Sequence, residues 1–105
     1  MATNRIEILR QMVDRDPGNA FARYGLAMEY ANAGQLEEAV AEFRSLTERD
    51  RDYAAAYFQG GQALEKLGRI EEARSMYESG IAASTRKGDH HTRGEIEAAL
   101  SLLPV

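Results

Sequence analysis

The residues best equipped for chemistry in this chain are His90 and His91, flanked by the cations Arg86, Lys87 and Arg93. As neighbours on a helix the two imidazoles would point about 100 degrees apart, so they cannot share one metal ion without donors from elsewhere. There is no other histidine and no cysteine, which removes i, i+4 ligand pairs, thiolate nucleophiles and disulfides together. The pair reads as a solvated loop. Glu95 and Glu97 follow the cations at once. With 13 Lys and Arg against 17 Asp and Glu, and a net charge of -4, the clustered basic face of a nucleic-acid binder is not expected either.

Catalysis finds no better footing. The chain lacks Gly-x-Ser-x-Gly, a phosphate-cradling glycine loop before a lysine, and His-Glu-x-x-His. Its acid-rich run from Glu37 to Glu48 is interleaved with Val40, Phe43 and Leu46, the pattern of an ordinary amphipathic helix. A non-catalytic protein without metal or cofactor is expected. At 105 residues and 44% apolar content, one domain with a modest core is expected. Residues 1–12 contain no apolar run resembling a signal peptide, and no stretch approaches the roughly 20 apolar residues of a membrane span. These features predict a soluble cytoplasmic protein with no membrane or nucleic-acid partner.

The strongest signal is a repeat. Gly34-Gln35-Leu36-Glu37-Glu38-Ala39 returns as Gly68-Arg69-Ile70-Glu71-Glu72-Ala73, 34 residues later. At the same offset Ala20 answers to Ala54, Leu26 to Gly60, Ala27 to Gly61, Tyr30 to Leu64 and Phe43 to Tyr77. A fixed period of about 20 to 50 residues with helical patterning marks a solenoid built from stacked helix pairs.

These residues resemble the tetratricopeptide repeat family. The resemblance rests on Leu26, Ala27, Tyr30, Gly34, Ala39 and Phe43 in the first unit, and on Gly61, Leu64, Gly68, Ala73 and Tyr77 in the second. It implies an all-α solenoid of antiparallel helix pairs in a single domain, residues 1–105, with complete units at 20–53 and 54–87. A leading half-unit helix at 3–15 and a capping helix at 89–103 flank them. Departures from the family pattern are Arg23, which with Tyr57 stands where an aromatic is frequent, and Gly60, where leucine is usual. Both predict looser packing.

Local signals place the elements. Thr3 is expected to cap a first helix carrying Ile6, Leu9, Met12 and Val13 on one side. A second, about 20–33, stops at Gly34, and a third runs from Leu36 to Arg49 with Glu37 and Glu38 in its first turn, where the dipole favours negative charge. The fourth is expected at about 53–67 and the fifth at about 70–84. Thr92-Arg93-Gly94-Glu95 has the form of a capping box and predicts a sixth helix from about residue 92. Ala27 with Ala39, and Gly61 with Ala73, fall on facing helices where small residues permit close approach.

In the family resembled, the first helix of each unit lines the concave side. That implication selects Phe21, Tyr24, Gly25, Met28, Ala31 and Asn32, then Ala55, Phe58, Gln59, Gln62, Glu65 and Lys66, with Arg93 adding a cation at the far end. The lysine and asparagine clamp that holds a C-terminal carboxylate in some members is absent, because Tyr24 and Met28 stand at matching places. The expected function is a protein-protein interaction scaffold offering Phe21, Tyr24, Met28, Asn32, Phe58, Gln59, Gln62, Lys66 and Arg93 to a peptide or partner helix. The alternative is a homodimer formed through the uncovered flank of the first helix.

Overall fold

The computed structural model describes the backbone of residues 2–105 and the side chains of residues 5–105. Its helices are α1 (Ala2–Arg15), α2 (Ala20–Asn32), α3 (Leu36–Arg49), α4 (Ala54–Lys66), α5 (Ile70–Lys87) and α6 (His90–Ser101), and the described residues contain no strand. Each helix packs on the next. The backbones of α2 and α4, and of α4 and α6, also approach within 8 Å, whereas α1 and α3, or α3 and α5, do not. The array therefore bends toward an inner layer of α2, α4 and α6, with α1, α3 and α5 outside.

The turns inside the two units follow from glycine. Gly34 and Gly68 take φ of 79° and 77°, the left-handed conformation that only glycine adopts without steric cost. That geometry lets Gln35 N–H reach Tyr30 C=O at 2.8 Å and Arg69 N–H reach Leu64 C=O at 2.9 Å, closing both helix ends.

Three expectations about helix ends are corrected. α1 already includes Ala2, so Thr3 lies within the first turn instead of ahead of it, and its side chain falls outside the described residues. α5 continues past Ser84 to Lys87, because the next residue able to enter the left-handed region is Gly88, at φ 68°. α6 starts at His90, ahead of the expected capping box. Asp89 is its N-cap and accepts from Thr92 N–H at 3.1 Å, leaving Thr92 inside the first turn. His90 and His91 are thus exposed helix residues, not a loop pair.

Close approach is built on small residues. Ala27, Ala39 and Ala73 are fully buried, and a Cβ placed on Gly61 would lie 2.2 Å from the Tyr77 ring. Gly60 does not loosen the core: the space a side chain would need there is held by Met76 Cε, 2.7 Å from a built Cβ, and by Phe43. Nor does Arg23. Its guanidinium is buried and donates to Glu42 Oε1 at 2.8 Å and to Pro17 C=O at 3.3 Å. One period later Tyr57 donates to Arg51 C=O at 2.9 Å, so the two side chains reach for the same loop carbonyl. α6 closes the far end by burying Ile96 against Gly80, and Leu103, just beyond its end, is buried too.

Gly61→Ala should therefore destabilise by at least the 1 to 3 kcal/mol or so typical of overpacking, and Ala39→Leu and Ala73→Leu by a similar amount each. Gly94 lies in α6 with nothing within 4 Å of a built Cβ. Gly94→Ala should stabilise by about 0.5 to 1 kcal/mol through reduced chain entropy. Urea unfolding followed by helical circular dichroism measures all four.

Hydrogen bonding from Thr92 holds the Asp89 carboxyl below the usual carboxylate range. A lowered folded-state value means that Asp89 stabilises the fold above its unfolded value and ceases to do so as pH falls through the folded one. The protection factors of the α6 amides should fall first on acidification. Asp89→Asn should remove most of that pH dependence.

Candidate functional site

The inner layer brings the nine sequence-selected residues onto three neighbouring helices. Phe21, Tyr24, Met28 and Asn32 lie on α2, Phe58, Gln59, Gln62 and Lys66 on α4, and Arg93 on α6. Spacings of three, four and seven put each set on one face of its helix.

Exposure then separates them. Phe21 is 82% exposed, an unusual state for a large aromatic. Tyr24, four residues from Met28 on the same helix, is instead drawn inward: its ring stands edge-on to Phe43 at 6.0 Å and beside Tyr53 at 5.4 Å. Burial of this cluster raises the phenol pKa of both Tyr24 and Tyr53. Met28 and Phe58 are half-buried against the core, Gln59 and Gln62 are half-buried, and Asn32 and Lys66 are exposed.

Two of the residues assigned to the inner stripe are otherwise engaged. Gly25 is approached by Leu9 of α1, whose Cδ2 would lie 3.4 Å from a built Cβ, so that strip of α2 is covered. Glu65 accepts a short hydrogen bond from the buried Tyr77 hydroxyl, whose pKa is raised by desolvation first and by this bond second. Arg93 does lie on α6, but its Nε pairs with Glu97 at 3.2 Å, which spends much of the free charge expected at that end.

Tyr53 was not among the sequence-selected residues. It touches Tyr24 and also lines a cleft of about 140 Å³ with Ala54, Ala55, Lys87, Asp89 and Thr92, between the first turns of α4 and α6. Its counterpart one period earlier is Asn19, the cap that binds Ala22 N–H, so comparison of the repeats passes over it. A cavity of about 460 Å³ lies elsewhere, between the α1–α2 loop and the end of α3, and none of the nine residues lines it.

Neither a group of three or more His, Asp and Glu able to hold a metal ion nor a helix long and apolar enough to cross a membrane occurs among the described residues.

Comparison with known proteins agrees with this architecture. A sequence model described as tetratricopeptide repeat matches residues 6–63, and a second of the same description matches 54–85. A TPR repeat-containing protein of Pseudomonas aeruginosa is 32% identical over 98 residues, 93% of each chain. The solution structure of a tetratricopeptide repeat domain protein from Salinibacter ruber superposes with a TM-score of 0.75 at 33% identity, covering 81% of this chain and 86% of that one. The TPR2B domain of yeast Sti1, solved in complex with pHsp70, superposes with a TM-score of 0.88 over 95% of this chain and 80% of that one. At 18% identity this last likeness speaks to the fold alone.

The contrast between Phe21 and Tyr24 is testable. Phe21→Ala should change stability by no more than about 0.5 kcal/mol, as for a surface site. Tyr24→Ala, which opens a gap beside Phe43 and Tyr53, should cost about 2 kcal/mol. Chemical denaturation of the two single variants decides it.

Proposed function

The chain belongs to the tetratricopeptide repeat family, and from that premise we propose that it is a protein-protein interaction module whose inner layer receives a peptide or a partner helix. The observation that carries this reading is Phe21, a large aromatic left 82% exposed on the first inner helix. Beside it the half-buried Tyr24, Met28 and Phe58 offer apolar surface on adjoining helices. The amides of Asn32, Gln59 and Gln62 supply donors and acceptors for the main chain of a guest. The pHsp70 complex of the yeast domain supports this direction, since it joins a closely superposing array to a bound partner.

In this reading Phe21 anchors the guest, Gln59 and Gln62 fix its register, and Lys66 favours acidic groups at one end. Arg93 contributes chiefly through its aliphatic stem, its charge being held by Glu97. A small groove of this kind supports affinity of about micromolar, near -8 kcal/mol.

A second reading is favoured by α1. Ile8 and Met12, one turn apart, are 58% and 40% exposed, an apolar strip on an outer helix that packs on α2 alone among the described helices. Two chains that bury this strip against each other would form a symmetric dimer.

Peptides selected from a displayed random library on the parent protein provide the test. Phe21→Ala should weaken captured peptides by about tenfold or more, as loss of an aromatic anchor does, without altering stability. Equal capture by the parent and by Phe21→Ala would remove this face from consideration. Sedimentation velocity over a wide concentration range addresses the dimer: a parent that self-associates and an Ile8→Ser variant that does not would favour the second reading.

A further inference from the structure

The cavity of about 460 Å³ exists because the two units close their loops differently. In the second unit Arg86 bridges to the preceding loop, its Nε donating to Asp52 Oδ1 at 2.7 Å and its Nη2 to Arg51 C=O at 3.0 Å. One period earlier these three positions are Asp52, Gly18 and Pro17, so no arginine stands at the bridging position, and the Pro17 carbonyl is met by Arg23 from α2 instead. The side chains inside differ as well: Tyr57 packs on Gly80 in the second unit, where the first has Arg23 and Leu46. The first unit therefore keeps an open space where the second is bridged by Arg86.

The walls of that space are chemically uneven. Pro17 and Ala20 give it an apolar side, with Leu46 fully buried in the wall, while the exposed Arg49 and the buried Arg23 make it positive. Arg23 is only 8% exposed, and although its terminal nitrogens bond to Glu42 and Pro17, its Nε–H has no acceptor. A buried donor of a charged group left without a partner is costly, and this nitrogen has almost no accessible surface, so an anion in the cavity acts on Arg23 through its charge and not through that N–H. Arg49 is exposed and forms no ion pair among the described residues. Asp50 also lines the cavity, but its carboxylate accepts from Asp52 N–H at 3.1 Å in the local turn. Ala20 belongs to the first turn of α2, where the helix dipole favours negative charge.

We propose that this cavity is a binding site for a small amphiphilic carboxylate, separate from the inner face that receives a protein partner. The carboxylate pairs with the exposed guanidinium of Arg49, whose planar fork matches two oxygens, with the charge of the buried Arg23 behind it, and the apolar body rests on Pro17 and Ala20. The volume falls within the range of about 300 to 1,000 Å³ usual for small-molecule pockets.

Sodium benzoate serves as the probe, titrated into the ¹⁵N-labelled full chain with sodium chloride at matched ionic strength as the reference. Benzoate should shift the Gly18, Ala20 and Leu46 amides and the Arg23 Nε–H resonance together, with Kd of about 1 mM for so small a ligand. Benzylamine, which has the same ring and the opposite charge, should shift none of them. Arg49→Gln leaves an exposed, unpaired position and so retains the fold, yet should weaken benzoate by about tenfold. Absence of benzoate shifts at these residues, equal shifts from benzylamine, or unchanged affinity in Arg49→Gln would each overturn the proposal. None of these results bears on peptide capture through Phe21.

Discussion

The contact between Gly61 and the Tyr77 ring sets the scale on which the rest of this molecule is built. With no Cβ at position 61, the ring occupies space that any other residue would claim, and α4 and α5 close to the distance this permits. In the first unit fully buried alanines at positions 27 and 39 serve the corresponding helix pair. Because each helix packs on its sequence neighbours, the distance chosen in one pair fixes where the next can sit. The bend toward α2, α4 and α6 follows, and with it an inner layer whose side chains can meet a guest.

Within this common frame the two units solve one packing problem in two ways. Arg23 with Glu42 and Tyr57 with Met76 occupy matching positions, and Arg23 and Tyr57 both end on the carbonyl of the preceding loop. The polar solution uses the long reach of arginine and a carboxylate to neutralise it; the apolar one uses an aromatic ring over glycine. The two solutions leave different spaces, about 460 Å³ beside Arg23 and about 190 Å³ beside Tyr57 and Met76, so the repeat is regular in backbone and irregular in cavities. Ion pairs across the outer layer, Arg44 of α3 with Glu72 of α5 and Arg69, the N-cap of α5, with Glu37 of α3, are largely exposed and add little beyond orientation.

Helix order and the positions of the two inter-helix glycines were legible because both rest on short-range rules: apolar spacing within a helix, and a left-handed residue after it. Gly34 and Gly68 announced themselves by repeating. Gly88 has the same conformation without a matching hexad, so the end of α5 and the cap at Asp89 were missed. The looser packing expected at Arg23 and Gly60 failed for a related reason. Glu42 compensates the first and Met76 the second, and each partner lies on a different helix from the residue it serves. Both pairs do change together from one unit to the next, which was the available signal.

By itself the sequence determined the all-α repeat architecture, the family and the helices that form the inner layer, since a period carried by small and large residues survives whatever surrounds it. Tertiary structure alone decided that Phe21 stays exposed while Tyr24 turns onto Phe43 and Tyr53, that Leu9 covers Gly25, that Glu97 takes the charge of Arg93, and that a cavity opens beside Arg23. Those outcomes depend on which atoms from other elements reach a given volume first. Residue spacing along one helix holds no record of that competition.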